Sequence, residues 1–218
     1  MATKFPPRSE WAKYNKKTPK RRATHRGPLG KAKVLTPEQF DMAAERAPID
    51  NVFGTRDRLF VLLSRFCGLR AREIATLHVH DVTDATGELL DHISVSKRGA
   101  KYGKERTVRM RPELIEALRD YLEQTAITDG PIFWSQRGIP ASSNLVQKQL
   151  KRLYTICGFK GARSHSGRRY AITTMAQHAN TVGASLEDVR IFAGHSRITT
   201  TGSYIEESPF AAKMINFL

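Results

Sequence analysis

Positions 68–77 read Gly68-Leu69-Arg70-Ala71-Arg72-Glu73-Ile74-Ala75-Thr76-Leu77. A helix with a broad apolar face, beginning near Thr55, is predicted directly before this stretch. Ile74 and Leu77 predict that the short helix after Arg70 is also buried on one side. Arg70 therefore stands between two apolar elements, which makes it a candidate for a specific site rather than an ordinary surface arginine.

Helices are predicted on both sides of this stretch, together with one small sheet. The predicted helices run from Pro37 to about Arg46, from near Thr55 to Gly68, over Ala71–Leu77, from Pro112 to about Gln124, from Ser142 or Ser143 to Gly158, from Ser166 to about Ala179 and from Ser185 to Gly194. Alternation at Ile93 and Val95 predicts a strand over 89–96, and 105–110 is its expected antiparallel partner. The predicted fold class is α+β, mostly α with a small antiparallel β-sheet.

The positive charge is concentrated at the start of the chain. The 218 residues include 36 Lys or Arg and 21 Asp or Glu, a net charge of +15. Residues 1–33 alone hold eleven Lys or Arg and one acid, a net charge of +10. Several Pro and Gly and little apolar periodicity predict a flexible basic arm over 1–33 and a folded domain over 34–218. The arm residues expected to contact DNA phosphates are Lys16, Lys17, Lys20, Arg21 and Arg22, although a solubilising tail would have a similar composition.

Composition also excludes several classes of protein. Hydrophobic residues make up 40% of the chain, enough for a core. No run of about 18 apolar residues is present, and the first residues lack the apolar stretch of a secretory signal. The two cysteines, Cys67 and Cys157, are far apart, which argues against a disulfide framework. We therefore expect no membrane partner and a cytoplasmic protein, which would be nucleoid-associated where its basic arm binds DNA.

Three further short patterns carry residues suited to phosphate chemistry. They are Ser96-Lys97-Arg98-Gly99 in the loop between the two strands, His165-Ser166-Gly167-Arg168, and Ala193-Gly194-His195-Ser196 with Tyr204 nine residues after His195. Guanidinium groups donate forked hydrogen bonds and keep their charge, so Arg70 and Arg168 suit the non-bridging oxygens of a phosphodiester. Glu73 lies three residues after Arg70 on the same helix face and could orient it.

The order Arg, Lys, His-x-x-Arg, Gly-His and Tyr resembles the catalytic domain of the tyrosine recombinases, or phage integrase family. The resemblance covers residues 34 to about 208, and the ordered set is far more specific than any one motif. It implies a catalytic set of Arg70, Lys97, His165, Arg168, His195 and Tyr204, with Glu73 supporting Arg70. Arg72 competes with Arg70, but the family spacing favours Arg70.

The resemblance implies a covalent mechanism that needs no cofactor. Tyr204 would attack the DNA phosphate and form a 3′-phosphotyrosine. His165 would accept the tyrosine proton or bind the phosphate, and His195 would donate to a non-bridging oxygen; the sequence does not decide which histidine does which. Lys97 would protonate the leaving 5′-oxygen, with Lys101 as a rival. Arg98, Lys101 and Lys104 in the same loop are further expected DNA contacts.

Four neighbouring residues carry side chains that can bind a metal ion. His78, His80, Asp81 and His92 are close in sequence, and a His-x-His-Asp pattern could bind zinc. Asp81, however, falls where the resembled family commonly has an acid at the end of its first motif. We therefore predict no metal ligands.

The ends of the chain suggest how the protein assembles. Among members of this family, the chain resembles the minimal ones, such as the fimbrial phase-variation recombinases. Other members carry a helical clamp domain before the catalytic domain, and the 33 arm residues are too few to form it. The arm would partly substitute for that clamp on DNA. The apolar tail at about 209–218 would dock on its own domain or on a neighbour. Expected partners are double-stranded DNA, a dimer or tetramer of the chain on DNA, and accessory DNA-bending or directionality proteins.

Three functions are compatible with these residues. A site-specific DNA recombinase that integrates, excises or inverts an element uses all six catalytic residues. A type IB topoisomerase shares the chemistry but reseals the same strand. A non-catalytic DNA-binding regulator of the same fold has no use for the whole set. We therefore expect a recombinase.

Overall fold

Helix α2 (Val52–Phe66) lies at the centre of the fold, because five other helices pack against it. The computed structural model describes residues 32–48, 51–96, 98 and 105–204. Within these ranges the other elements are α1 (Pro37–Glu45), α3 (Ala71–Ala75), β1 (His92–Val95), β2 (Arg106–Arg109), α4 (Pro112–Thr125), α5 (Ser143–Ile156), α6 (Ser166–His178), α7 (Leu186–Ala193) and α8 (Ile198–Gly202), in that order. The predicted fold class, mostly α with a small antiparallel sheet, is confirmed.

Helix α1 begins as the sequence predicts. The Gln39 N–H donates to the Thr36 hydroxyl at 3.3 Å, and the Thr36 N–H donates to the Gln39 side chain at 3.1 Å. This reciprocal capping box satisfies backbone donors that the first turn of a helix leaves without partners.

Helix α2 begins three residues earlier than predicted. The Asn51 side chain accepts the backbone N–H groups of Phe53 and Gly54, at 3.2 and 3.0 Å, and so caps the helix. Asparagine is among the strongest capping residues, and the prediction of a start near Thr55 was wrong because it overlooked Asn51. The helix stops at Cys67, after which Gly68 adopts a φ of +58°.

The sheet is shorter than predicted but has the expected pairing. Strands β1 and β2 are antiparallel, with Ile93 opposite Val108 and Val95 opposite Arg106. Leu89 lies outside β1 and bridges to Thr83, because the preceding residues form a turn. The sheet therefore begins only at His92.

The buried apolar residues form two clusters. The larger cluster is built from α1 to α5 and the sheet, and includes Leu59, Phe60, Leu63 and Ile74. The smaller cluster consists of Ile172, Ala179, Val189 and Ala193, from α6, α7 and the turn between them. No helix among the described residues is long and apolar enough to cross a bilayer.

Helix α6 crosses α2 at Gly167, where the two helices are very close together. A Cβ placed at this residue would lie 2.4 Å from the Ser64 hydroxyl oxygen and 2.8 Å from the Ser64 carbonyl carbon. Gly167→Ala should therefore destabilise the protein by about 1–3 kcal/mol, because overpacking exceeds the gain in helix propensity. Urea denaturation would measure this, and an unchanged or higher stability of Gly167→Ala would contradict the close crossing.

Candidate active site

Arg70 occupies the junction between α2 and α3. Its Nη1 donates to Glu73 Oε1 at 2.7 Å, and its backbone N–H donates to Glu73 Oε2 at 2.8 Å. Its Nη2 lies 3.3 Å from the Gly194 carbonyl oxygen, on a distant segment. The side chain is 18% exposed, so it can still meet a ligand. Arg72 is exposed on α3, which also favours Arg70 as the site residue.

Glu73 is fully buried and holds two guanidinium groups. Besides Arg70, it accepts two hydrogen bonds from Arg106, at 3.0 and 2.9 Å. Burial by itself would raise the pKa of Glu73, but the hydrogen bonds and charges of Arg106 and Arg70 hold that pKa below its usual value. The carboxylate is therefore ionised and fixes the orientation of Arg70.

Arg168 projects from the first turns of α6 and is 3% exposed. Its Nη1 donates to the Gly68 carbonyl oxygen at 2.6 Å, and its Nη2 donates to the Ala193 carbonyl oxygen at 2.6 Å. Burial, followed by the charge of Arg70, lowers the pKa of Arg168 to about 10, so it stays charged at neutral pH. Arg168 thereby joins the end of α2 to the end of α7.

His195 follows Gly194, which ends α7 with a φ of +60°. Arg168 Nη2 lies 3.0 Å from His195 Nε2, and Thr201 Oγ1 lies 3.0 Å from His195 Nδ1. Because guanidinium can only donate, Nε2 accepts and Nδ1 carries the proton that it donates to Thr201. Burial and the charges of nearby arginines, Arg168 first, lower the pKa of His195 to about 4. His195 is therefore neutral at physiological pH.

His165 precedes α6, one turn before Arg168. Its pKa is also lowered, first by loss of solvent around the ring and then by the charges of Arg168 and Arg70. The residue nevertheless reaches the surface. His165 is thus a neutral imidazole near both arginines.

Tyr204 follows α8, a helix that the sequence analysis did not predict. The Tyr204 N–H donates to the Thr201 carbonyl oxygen at 3.0 Å. Its ring stacks on the His195 imidazole, with 5.6 Å between ring centres and 26° between planes. Because Thr201 contacts His195 and Tyr204 follows it by three residues, α8 places the phenol beside His195.

The structure brings most of the expected site residues together and leaves others undescribed. Arg70, Glu73, Arg168, His195 and Tyr204 form one cluster, and His165 lies near its two arginines. Lys97, Lys101 and Lys104, the arm residues Lys16, Lys17, Lys20, Arg21 and Arg22, and the tail 209–218 lie outside the described residues. Arg98 donates to both oxygens of Asp81 at 2.8 Å, so its DNA contact remains a prediction.

Two residues of the cluster were missed in the sequence. Thr201 accepts a hydrogen bond from His195 Nδ1, and Arg106 donates two hydrogen bonds to Glu73. The signal for Arg106 was available: strand alternation puts it on the same face as the buried Val108. An arginine on the core face of a strand needs buried hydrogen-bond acceptors, and a buried acid is one such partner.

Asp81 is one of the four residues that could have formed a metal site. Asp81 accepts hydrogen bonds from Arg98 and from the His78 backbone N–H, so its carboxylate is already engaged. Among residues 32–48, 51–96, 98 and 105–204, no group of three His, Cys, Asp or Glu is placed to hold a metal ion.

The low pKa of His195 makes stability depend on pH. The unfolded chain protonates this imidazole near its ordinary pKa of 6.5, whereas the folded protein protonates it only near 4. Unfolding therefore takes up a proton between these values, and the stability present above pH 6.5 falls as the pH drops toward 4, by about 3 kcal/mol for this group.

Chemical denaturation at several pH values measures this effect. His165 and His78 also have lowered pKa values and act in the same direction. The difference in pH dependence between the unaltered protein and His195→Asn isolates the share of His195. Equal slopes in the two proteins would contradict a buried neutral His195.

The chain is similar to known proteins in sequence and in structure. Residues 33–209 match the sequence profile of the Phage integrase family. Tyrosine recombinase XerA of Pyrococcus furiosus is 28% identical over 175 residues, covering 79% of this chain and 56% of the relative. Tyrosine recombinase XerC of Chlamydia trachomatis serovar L2 is 30% identical over 188 residues, covering 84% and 56%.

Solved structures show the same fold. The crystal structure of XerA recombinase superposes with a TM-score of 0.67 at 22% identity, covering 87% of this chain and 66% of that one. The pre-cleavage complex of XerH site-specific recombinase with difH has a TM-score of 0.67 at 20% identity, covering 96% and 61%. The fold is that of a tyrosine recombinase catalytic domain.

The chain belongs to the phage integrase family. It spans about half the length of the curated relatives that it matches.

Proposed function

We propose that the protein is a site-specific DNA recombinase that cleaves and rejoins strands through a covalent 3′-phosphotyrosine. The observation that carries this proposal is the convergence of two buried or half-buried arginines, a neutral histidine and a stacked tyrosine from four separate segments. Listed by chain order, they are Arg70, Arg168, His195 and Tyr204. The names of the relatives, which are tyrosine recombinases, support the same function.

In the proposed reaction Tyr204 attacks the scissile phosphorus. A bond forms between the phenolic oxygen and phosphorus, and the bond from phosphorus to the 5′-oxygen breaks. The phenol gives up its proton as it attacks, and the leaving 5′-oxygen receives one from Lys97 or Lys101. Attack of a partner strand's 5′-hydroxyl on the phosphotyrosine reverses these steps and joins the strands. The bond energy is retained throughout, so no nucleotide is consumed.

Arg70 and Arg168 would stabilise the charge that develops on the non-bridging oxygens. Both are positively charged, and Glu73 together with the carbonyl oxygens of Gly68 and Ala193 holds them in place. Donors fixed in advance need little reorganisation when the transition state forms.

The two histidines are suited to different tasks. His165 is neutral and reaches the surface, so we propose that it accepts the Tyr204 proton. His195 Nε2 accepts from Arg168 and carries no proton of its own. Donation from His195 to the phosphate would require the other tautomer, with the proton on Nε2 and with Nδ1 accepting from the Thr201 hydroxyl.

Double-stranded DNA is the proposed substrate, and exchange requires at least two copies of the chain on it. The pre-cleavage and post-cleavage XerH complexes hold difH DNA, and a dimer of lambda integrase is bound to a core site. Accessory DNA-bending or directionality proteins belong to the same proposal, as does a position in the cytoplasm with the nucleoid, where the substrate lies.

The test uses duplexes with a randomised core, each nicked just beyond the position of cleavage so that the released fragment diffuses away. The protein should capture a subset of sequences in a detergent-resistant adduct, in EDTA and without nucleotide. Two intact duplexes of the selected sequence should then yield recombinant strands. No adduct with any sequence would favour the DNA-binding regulator. Relaxation of supercoiled plasmid without strand exchange would favour the type IB topoisomerase.

A further inference from the structure

Arg106 is a buried charged residue that the proposed chemistry does not use directly. It is the first residue of β2, and its side chain is 5% exposed. Strand alternation turns it to the same side as Val108, which lies in the main core. A charge in such a place is expensive unless it is paired and hydrogen-bonded.

All three nitrogens of the Arg106 guanidinium have partners, and the partners belong to two different segments. Nη1 and Nη2 donate to the two carboxylate oxygens of Glu73, at 3.0 and 2.9 Å. Nε donates to the carbonyl oxygen of Phe192 at 2.8 Å. This fork-to-fork contact with Glu73 has the geometry that gives Arg–carboxylate pairs their directional specificity.

Each of these partners leads to a proposed catalytic residue. Glu73 accepts the Arg70 guanidinium on the same Oε1 that accepts Arg106 Nη1. Phe192 lies three residues before His195, at the end of α7. A Cβ at Gly194 would lie 3.0 Å from Arg106 Nη1, so the guanidinium packs directly against the turn that leads into His195.

We infer that Arg106 is a positioning residue, which fixes Arg70 through Glu73 and His195 through the Phe192–Gly194 backbone. This inference rests on the proposed function. Without Arg106, Glu73 would keep one partner instead of two, and the α7 turn would lose its hydrogen bond to the sheet. Arg70 and His195 would then be free to shift relative to each other.

The expected consequence is a slower reaction with unchanged DNA affinity. Displacement of catalytic groups by about 1 Å can cost about a hundredfold in rate. Arg106→Gln should therefore slow single-turnover adduct formation on the selected nicked duplex about a hundredfold, with the Kd for the intact duplex within about threefold of the unaltered value. Arg106→Lys keeps a charge beside Glu73 but loses the fork, and should recover part of the rate.

Arg109→Gln is the matched control, because Arg109 lies on the same strand with an exposed side chain paired to Asp91. Its adduct rate should equal that of the unaltered protein. Thermal unfolding of each variant sets the assay temperature below its transition, so that only folded protein is compared.

A second substrate separates positioning from a general structural defect. A methylphosphonate at the cleavage position removes one non-bridging oxygen and the negative charge that the arginines stabilise. If Arg106 acts through Arg70, the fold-decrease in adduct rate caused by Arg106→Gln should be at least about tenfold smaller on this linkage than on DNA. The charge that Arg70 would stabilise is absent there, and loss of one charge-stabilising donor costs about a hundredfold or more in rate. Equal losses on both linkages, or full activity of Arg106→Gln on DNA while the unaltered protein forms adduct, would overturn the inference and leave the proposed function standing. No adduct from the unaltered protein would overturn both.

Discussion

Replacing Tyr204 by phenylalanine is expected to abolish covalent attachment to DNA while DNA binding persists. The substitution removes only the phenolic oxygen and keeps the ring that stacks on His195 at 5.6 Å. The remaining backbone contact of residue 204, its N–H to the Thr201 carbonyl, does not depend on the side chain. The site would therefore be assembled but would lack a nucleophile. Denaturing electrophoresis of the nicked-duplex reaction measures the adduct, and a native gel shift measures binding.

The matched control for Tyr204 is Tyr170→Phe. Tyr170 packs against Phe40 with ring centres 5.2 Å apart, near the main core rather than beside His195. This variant should form adduct as the unaltered protein does. Adduct from Tyr204→Phe, or its loss from Tyr170→Phe, would show that Tyr204 is not the specific nucleophile.

Replacing Arg168 by lysine is the second substitution with a large expected effect. Lysine preserves the charge but cannot reach the Gly68 carbonyl, the Ala193 carbonyl and His195 Nε2 together, as the guanidinium does at 2.6, 2.6 and 3.0 Å. The fork that would hold the developing phosphate charge is lost at the same time. Loss of one such donor commonly costs about a hundredfold to a thousandfold in rate, so we expect the rate of adduct formation to fall about a thousandfold.

Arg169→Lys is the control for Arg168. It is the next residue on α6, is less buried, and its Nη1 lies 3.4 Å from the Ala32 carbonyl oxygen. Its rate of adduct formation should stay within about threefold of the unaltered protein, as expected for a surface substitution. Equal rates for Arg168→Lys and the unaltered protein would remove Arg168 from the proposed site.

The fold was predictable from the sequence wherever short-range signals agree. Thr36 and Gln39 predict the capping box of α1, and alternation at Ile93 and Val95 predicts the antiparallel hairpin. Helix α8 was missed because its sequence, Ile198-Thr199-Thr200-Thr201-Gly202, consists of β-branched residues and glycine, which have low helix propensity. Its packing against α7 overrides that preference.

The site was predictable to the extent that motifs mark it. The order of Arg70, Arg168, His195 and Tyr204 identifies the cluster, but their mutual contacts depend on tertiary structure. No local pattern indicates that Arg168 reaches the Gly68 carbonyl from a hundred residues away, or that its guanidinium fixes the His195 tautomer. Arg106 shows the intermediate case, because its place on the core face of β2 could be read from alternation while its partner Glu73 could not.

The most direct measurement is identification of the residue and the DNA end that are joined in the adduct. The adduct trapped on a nicked duplex would be digested with protease and nuclease, and the nucleotide-bearing peptide sequenced by mass spectrometry. The account predicts a nucleotide attached through its 3′-phosphate to Tyr204, with a free 5′-hydroxyl on the released strand. Attachment at another residue, or through a 5′-phosphate, would contradict it.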